Sequence, residues 1–231
     1  MKKNIRSHDN IYLKENRYDN YKESFLFLVK LLNKVIIKEK KYSLIDVGCA
    51  NGELIYLLKK RFKNISFTGL DIRKDLIKKA KKKLGKKVNF INNDIFRNII
   101  NEQFDFVICS GVIGITDEPK KFLNNLKKMK KKNGSIYLFH HFNEFKFNVY
   151  IKYQSLRKMN YFEKGWNIFS LDYIKKIFKT QKIKFFKFNI KKKIKHNKKD
   201  PIRSWTIKIN KKNFFTNGLS ILLNQYWVKI D

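Results

Sequence analysis

The sequence predicts an α/β fold, a mostly parallel sheet of short buried strands with helices on both faces. Three observations predict it. Segments with apolar residues at helical spacing alternate with short runs that are apolar on both faces, and such runs belong in strands covered by helices on both sides. Only two prolines, Pro119 and Pro201, interrupt the chain, and no internal repeat occurs. The first strand-like run ends in a glycine turn, "LIDVGCANGEL" at 44–54, and in α/β sheets ligands bind outside the carboxyl ends of strands.

The elements follow in order. "YKESFLFLVKLLNKVI" (21–36) has helical spacing, and residues 1–40 read as a helical N-terminal cap before a domain at 41–231. "YSLIDVG" (42–48) is the first strand. The helix after it puts Leu54, Leu57, Leu58 and Phe62 on one face. "ISFTGLD" (65–71) is the second strand, and the helix "RKDLIKKAKKKLG" stops at Gly85, suited to a C-terminal cap. "KVNFINND" and "FDFVICSG" (104–111) are strands three and four. "DEPKKFLNNLKKMKKKNG" reads as a helix with Pro119 near its start and Gly134 at its end, and "SIYLFHH" as strand five. From 142 to 169 the rhythm breaks into a mixed aromatic and polar insertion, a candidate lid. Ser170 caps a further helix. "KIKFFKFNI" and "RSWTIKIN" alternate like strands, joined by the basic loop 191–201. The end, 213–230, fits either a hairpin around Asn217-Gly218 or a short helix.

A chain of 231 residues, 43% hydrophobic, suffices for one full domain. No apolar run approaches the roughly 18 residues of a spanning helix, and the N-terminus has no apolar segment of a signal peptide. Cys49 and Cys109 lie far apart in apolar surroundings without metal-site spacing; they are expected as reduced core residues of a cytoplasmic protein. The net charge of +35 invites a nucleic-acid reading. Yet only seven of the 54 basic residues are arginine, the side chain that base-edge and bidentate phosphate recognition favour. Lys, Asn, Ile and Phe share A/T-rich codons, so codon bias is a sufficient source. Nucleic acid is thus a secondary expectation, while the charge still attracts anions.

The glycine turn excludes two ligands. Gly52 is followed by Glu53 and Leu54, not by the Lys-Ser/Thr of a phosphate loop. A dinucleotide loop starting at Gly48 would put its third small residue at Glu53. What remains is Asp46-x-Gly48-x-x-x-Gly52. Here the sequence resembles the class I S-adenosylmethionine-dependent methyltransferases, whose first motif is D/E-x-G-x-G-x-G, with Ala50 in place of the central glycine. The resemblance runs over about residues 40–141. Asp71 ends the second strand 19 residues after Gly52, placed for ribose hydroxyls. Asp94 follows the third strand, where the family binds the adenine amino group and packs the next residue, Ile95, on the base.

The resemblance implies a seven-stranded Rossmann-like sheet with an antiparallel strand near the C-terminus, S-adenosylmethionine as cofactor and no metal. It implies cofactor contacts from Asp46, Gly48, Ala50, Asn51, Gly52, Asp71, Ile72, Asn93, Asp94, Ile95 and Ser110, with Gly111 beside them. Asp46 faces the cofactor's ammonium group. His140 and His141 are the candidate general bases; adjacent strand residues point to opposite faces, so at most one should face the pocket. Tyr161, Trp166 and Asn167 are candidates for lining a lid, and Tyr18 and Tyr21 for closing over the cofactor. No Asp/Asn/Ser-Pro-Pro-aromatic motif follows strand four, "VICSGV" lacks a Pro-Cys pair, and no His/Asp/Glu cluster suggests a magnesium site. These absences favour methylation of an O or N atom of a small, sugar-like or anionic metabolite, in the layout of ubiquinone-type and surface-polysaccharide-type methyltransferases, with RNA the alternative acceptor.

Overall fold

A computed structural model describes residues 6–98, 100–154, 161–196, 203–217 and 220–231. The helices are α1 (Ile11–Lys14), α2 (Glu23–Leu32), α3 (Glu53–Arg61), α4 (Lys74–Leu84), α5 (Pro119–Lys128) and α6 (Leu171–Ile177). The long strands are β1 (Tyr42–Val47), β2 (Ile65–Asp71), β3 (Asn89–Asn92), β4 (Phe104–Ser110) and β5 (Lys130–Asn143). Three two-residue strands follow, β6 (Lys152–Tyr153), β7 (Glu163–Lys164) and β8 (Phe169–Ser170). The C-terminal strands are β9 (Ile183–Phe188), β10 (Trp205–Ile209), β11 (Lys212–Asn217) and β12 (Ser220–Ile230).

The sheet runs β3-β2-β1-β4-β5 in parallel, then β12 antiparallel to β5, with β9 antiparallel to the same half of β12. This is the expected seven-stranded plan. Its seventh strand is the C-terminal segment, and "RSWTIKIN" pairs instead with β11 in an added hairpin. The choice left open for 213–230 resolves as antiparallel pairing, with Asn217 opposite Ser220. Gly218 lies outside the described residues, as do 155–160 of the insertion and 197–202, which hold the end of the basic loop.

Alternation along the strands sorts the core into two layers. Leu44, Phe106, Ile108, Tyr137, Phe139 and Trp227 face α2, α3 and α4. Ile45, Val47, Val107, Cys109, Ile136, Leu138 and Val228 face α5 and α6. Both cysteines are buried and free, as the sequence suggested. α2 belongs to the first layer: Leu28 and Leu32 are fully buried there, and Trp227 Nε1 donates to Ser24 O at 2.8 Å.

One boundary differs from the sequence reading. α5 stops at Lys128, and β5 begins at Lys130, which pairs with Phe104. Gly134 is no helix cap. A Cβ there would lie 2.8 Å from the carbonyl oxygens of Phe104 and Asp105, so its small size lets β5 close on β4. Among the described residues no helix is long and apolar enough to cross a membrane.

Candidate active site

A cavity of about 770 Å³ follows the carboxyl edge of the sheet from β3 to β12. The glycine turn supplies its floor under β1. Gly48, Ala50 and Gly52 all have left-handed backbones, with φ of 78°, 48° and 83°. At Gly48 a Cβ would stand 2.1 Å from Val112 Cγ2, so the turn can lie against the loop after β4 only with glycine there. Gly48 N and Cys49 N donate to Leu70 O at 2.7 and 3.0 Å. Asp71 completes the turn: its Oδ2 accepts from Ala50 N at 2.8 Å and its Oδ1 from Arg73 N at 2.9 Å. The left-handed alanine, unfavourable by about 1–2 kcal/mol, is thus held by a carboxylate on the neighbouring strand.

Asp46, Gly48, Ala50, Asn51, Asp71, Ile72, Asn93, Asp94, Ile95 and Ser110 all line the cavity. Gly52 does not. A Cβ there would meet Leu84 Cδ1 at 2.7 Å, so this glycine turns the chain into α3 and fits it against α4. Asp94 accepts from Phe96 N at 2.9 Å, an Asx turn that shapes the loop after β3. Asn125 Nδ2 fixes the carbonyl of Ile95 at 2.8 Å.

Asp46 is the electrostatic outlier. Its side chain is buried and has no hydrogen bond among the described residues. Burial, then the neighbouring Asp71, pushes its pKa up to about 7, against a weaker opposing pull from Lys22. Burial also raises Asp71.

Both histidines border the cavity, against the expectation of one at most. The two rings lie 5.5 Å apart. His140 is buried, with Nε2 2.9 Å from Asn167 O, and Gly114 leaves the space its ring fills. His141 Nε2 lies 2.9 Å from the amide nitrogen of Gln225, and its buried Nδ1 has no partner among the described residues. Burial depresses His140 to about 4; burial, then His140, depresses His141 to about 3. Both are neutral, weak bases near pH 7.

The proposed lid residues separate. Trp166 lines the cavity beneath the Arg6 guanidinium, 4.5 Å from its ring centroid, and against the ring of His8. Asn167 is fully buried outside the lining and ties three loops together: its N donates to Gly114 O, its Nδ2 to Thr116 O, and its Oδ1 accepts from Ile151 N. Tyr161 is exposed and away from the cavity. Tyr21 lines it, whereas Tyr18 braces the turn from behind through its hydroxyl to Asn51 O at 2.5 Å. The sequence reading missed the cover formed by Tyr12, Glu15, Arg17, Lys22, Lys192, Lys193 and Arg203. Among so many lysines these positions carry no local signal. Among the described residues no group of three or more His, Cys, Asp or Glu could hold a metal ion.

A family model described as a methyltransferase domain matches residues 38–198. A malonyl-[acyl-carrier protein] O-methyltransferase of Ilyobacter polytropus is 28% identical over 122 residues, 52% of this chain and 46% of that protein. One from Priestia megaterium is 26% identical over 59% of this chain and 49% of that protein. The chain spans about half the length of the curated relatives it matches. A solved Pyrococcus horikoshii protein superposes with a TM-score of 0.59 at 15% identity, covering 98% of this chain and 99% of the other. Magnesium protoporphyrin IX methyltransferase of Synechocystis, solved with bound S-adenosylmethionine, gives 0.53 at 14% identity, covering 90% and 78%. At such identities the structures establish the fold, and the family model establishes the lineage. The chain belongs to the methyltransferase-domain family, of the class I, S-adenosylmethionine-dependent type.

Proposed function

We propose that the chain transfers a methyl group from S-adenosylmethionine to an oxygen or nitrogen of a small anionic or sugar-like acceptor, with oxygen favoured. The observation that carries the reading is Asp46, a buried carboxylate without a hydrogen-bond partner among the described residues, on a cavity that Asp71 and Asp94 also border. A buried carboxylate of this kind calls for a cationic partner, and the amino-acid end of the cofactor carries an ammonium group. The Gly48 turn allows the close backbone approach that end needs, and Asp71 has oxygen lone pairs left for ribose hydroxyls. Asp94 and Ile95 suit the adenine.

Bound S-adenosylmethionine supplies a methyl group already activated on a sulfonium. The chain's part is then to align the acceptor and exclude water. Phe139, Phe188 and Phe215 give the far wall its apolar surface. Neither histidine there is poised as a base near neutrality, since both are held neutral with depressed pKa values. A carboxylate or other ionised oxygen needs no base, which favours an anionic oxygen acceptor. The O-methyltransferase relatives are consistent with this.

Calorimetry with S-adenosylhomocysteine tests the reading. Saturable binding is expected, and Asp71→Ala should weaken it at least about tenfold, ~1.4 kcal/mol. A wild-type protein that does not bind overturns the proposal. Methyl transfer to bulk RNA, with steep loss of affinity in salt, would replace the small acceptor with RNA.

A further inference from the structure

Beneath β5, β12 and the segment after β9, the cavity wall is rich in cations, and three of its lysines form no ion pair among the described residues. We propose that Lys22, Lys192 and Lys193 form a receptor for the anionic group, a carboxylate or phosphate, of the methyl acceptor; this rests on the methyltransferase reading above. All three line the cavity.

The carboxylates around them are already engaged. Glu15 accepts from Arg17 Nη2 at 2.5 Å, Arg17 Nε at 3.1 Å and Arg203 Nη2 at 3.1 Å. Glu23 accepts from the backbone N–H groups of Lys191 and Lys192, both at 2.8 Å. Glu53 accepts from Arg17 N at 2.7 Å and Asn51 Nδ2 at 3.3 Å. Among the described residues the ammonium groups of Lys22, Lys192 and Lys193 form neither a hydrogen bond nor an ion pair. Lys22 Nζ lies over two ring faces, Phe25 at 5.3 Å and Tyr12 at 5.9 Å. Burial, then Arg17, lowers its pKa, and Glu15 and Glu53, already engaged by other donors, only partly oppose this.

The backbone that presents the other two lysines is fixed. Besides Glu23, Ile194 N donates to Thr206 Oγ1 at 2.9 Å, Thr206 N to Ile194 O at 3.1 Å, and Asn213 Nδ2 to Ile190 O at 3.2 Å. Lys192 and Lys193 therefore stand exposed at the rim on an anchored turn, while Lys22 lies deeper, at the start of α2. Three lysines on rigid supports, none in a hydrogen bond or ion pair among the described residues, are placed to bind an anion by charge-assisted hydrogen bonds.

The methyl donor carries a carboxylate of its own, so the experiment separates the two sources. Binding of malonate and of inorganic phosphate to the full chain saturated with S-adenosylhomocysteine is measured by calorimetry at constant ionic strength. At least one should bind saturably. Combining Lys22→Gln, Lys192→Gln and Lys193→Gln should weaken that binding about tenfold or more, leave S-adenosylhomocysteine affinity essentially unchanged, and be reversed by arginine at the three positions. If the combined variant does not fold, Lys192→Gln with Lys193→Gln at the exposed rim should still weaken the anion severalfold. No saturable anion binding by the wild type overturns the proposal, as does unchanged anion binding by a folded variant. If the variants weaken S-adenosylhomocysteine but not 5′-methylthioadenosine, the lysines serve the donor's carboxylate and the proposal is wrong. A wild type that fails to bind S-adenosylhomocysteine at the outset sinks the parent reading instead.

Discussion

The β1–β3 end of the cavity takes its wall from three strand–loop junctions, within 46–54, 70–73 and 93–96, whereas the β5–β12 end draws on short pieces near residues 17–25, 139–141, 188–194, 203–204 and 215–225. At the first end the chain supplies backbone shape and carboxylates, and Asp46 is left unmatched. At the second it supplies aromatic surface and lysines, and the lysines are left unmatched. The difference in charge suits two different ligands. The difference in assembly separates a site built by local chain geometry from one built by tertiary packing. Local geometry is intolerant of small changes, so substitutions at the first end should cost most.

Gly48 should show the largest effect. Gly48→Ala adds a Cβ 2.1 Å from Val112 Cγ2 on a backbone with φ 78°. The strained backbone and the displaced loop together should weaken S-adenosylhomocysteine by about a hundredfold, roughly 2.7 kcal/mol. Gly111→Ala is the control: φ is 87°, but nothing lies within 4 Å of the added Cβ. Its loss should stay near the left-handed strain alone, about 1–2 kcal/mol. Equal losses in the two variants, read by calorimetry, would show that contact with Val112 does not shape the turn.

Asp46 should come next, with a pH signature. Its pKa stands at about 7 in the ligand-free protein, raised by burial and then by Asp71. Only the ionised form receives an ammonium group, so S-adenosylhomocysteine affinity should fall as pH drops through about 7. Asp46→Asn should bind about tenfold more weakly at pH 8 and lose this dependence. Stability runs the other way. Because the folded pKa is raised, the stability that the proton on Asp46 contributes is fully present below the ordinary value of 3.8 and is lost as pH rises from there through about 7. Ligand-free Asp46→Asn should therefore melt above the wild type at pH 8. A lower melting temperature would place a stabilising partner at Asp46 that the structure does not contain.

The same contrast explains what could be read from the sequence. Asp46, Gly48, Asp71 and Asp94 lie at strand ends, where a fixed rise and a short loop convert sequence spacing into position; ten of the eleven expected contacts line the cavity. Gly52 falls outside the lining because spacing identifies a glycine without saying which side of the turn needs the room, and here it is α4. The five parallel strands were legible from apolar runs, but the long β5 was not. A basic stretch that reads as the end of a helix becomes strand because Gly134 admits it to β4. Of the lysine end the sequence showed only a basic loop at 191–201. Lys22 and Lys192 come to line one cavity through α2 packing on Trp227 and Glu23 collecting the amides that follow β9, and in a lysine-rich chain no single lysine stands out.

His140 and His141 sit between the two ends, and substitutions there should have the smallest effect on turnover. A general base contributes typically 10²–10⁴-fold, which requires a pKa near the working pH. Burial holds His141 at about 3, and Gln225 occupies its Nε2. His141→Gln should lower kcat by less than about tenfold, and the wild-type kcat at saturating S-adenosylmethionine, where the Asp46 dependence of affinity drops out, should show no inflection near the ordinary histidine value of about 6.5. His140→Leu should act on stability instead. It removes the donor to the buried Asn167 carbonyl, at a cost of about 1–3 kcal/mol in unfolding free energy. Because Asn167 joins the loops after β4 and β5, that loss should appear as a lower melting temperature with a nearly intact rate per folded molecule. A rate loss of a hundredfold or more in His141→Gln, with unchanged melting and an inflection near 6.5 in the wild type, would instead make His141 the base and point to an acceptor that must lose a proton.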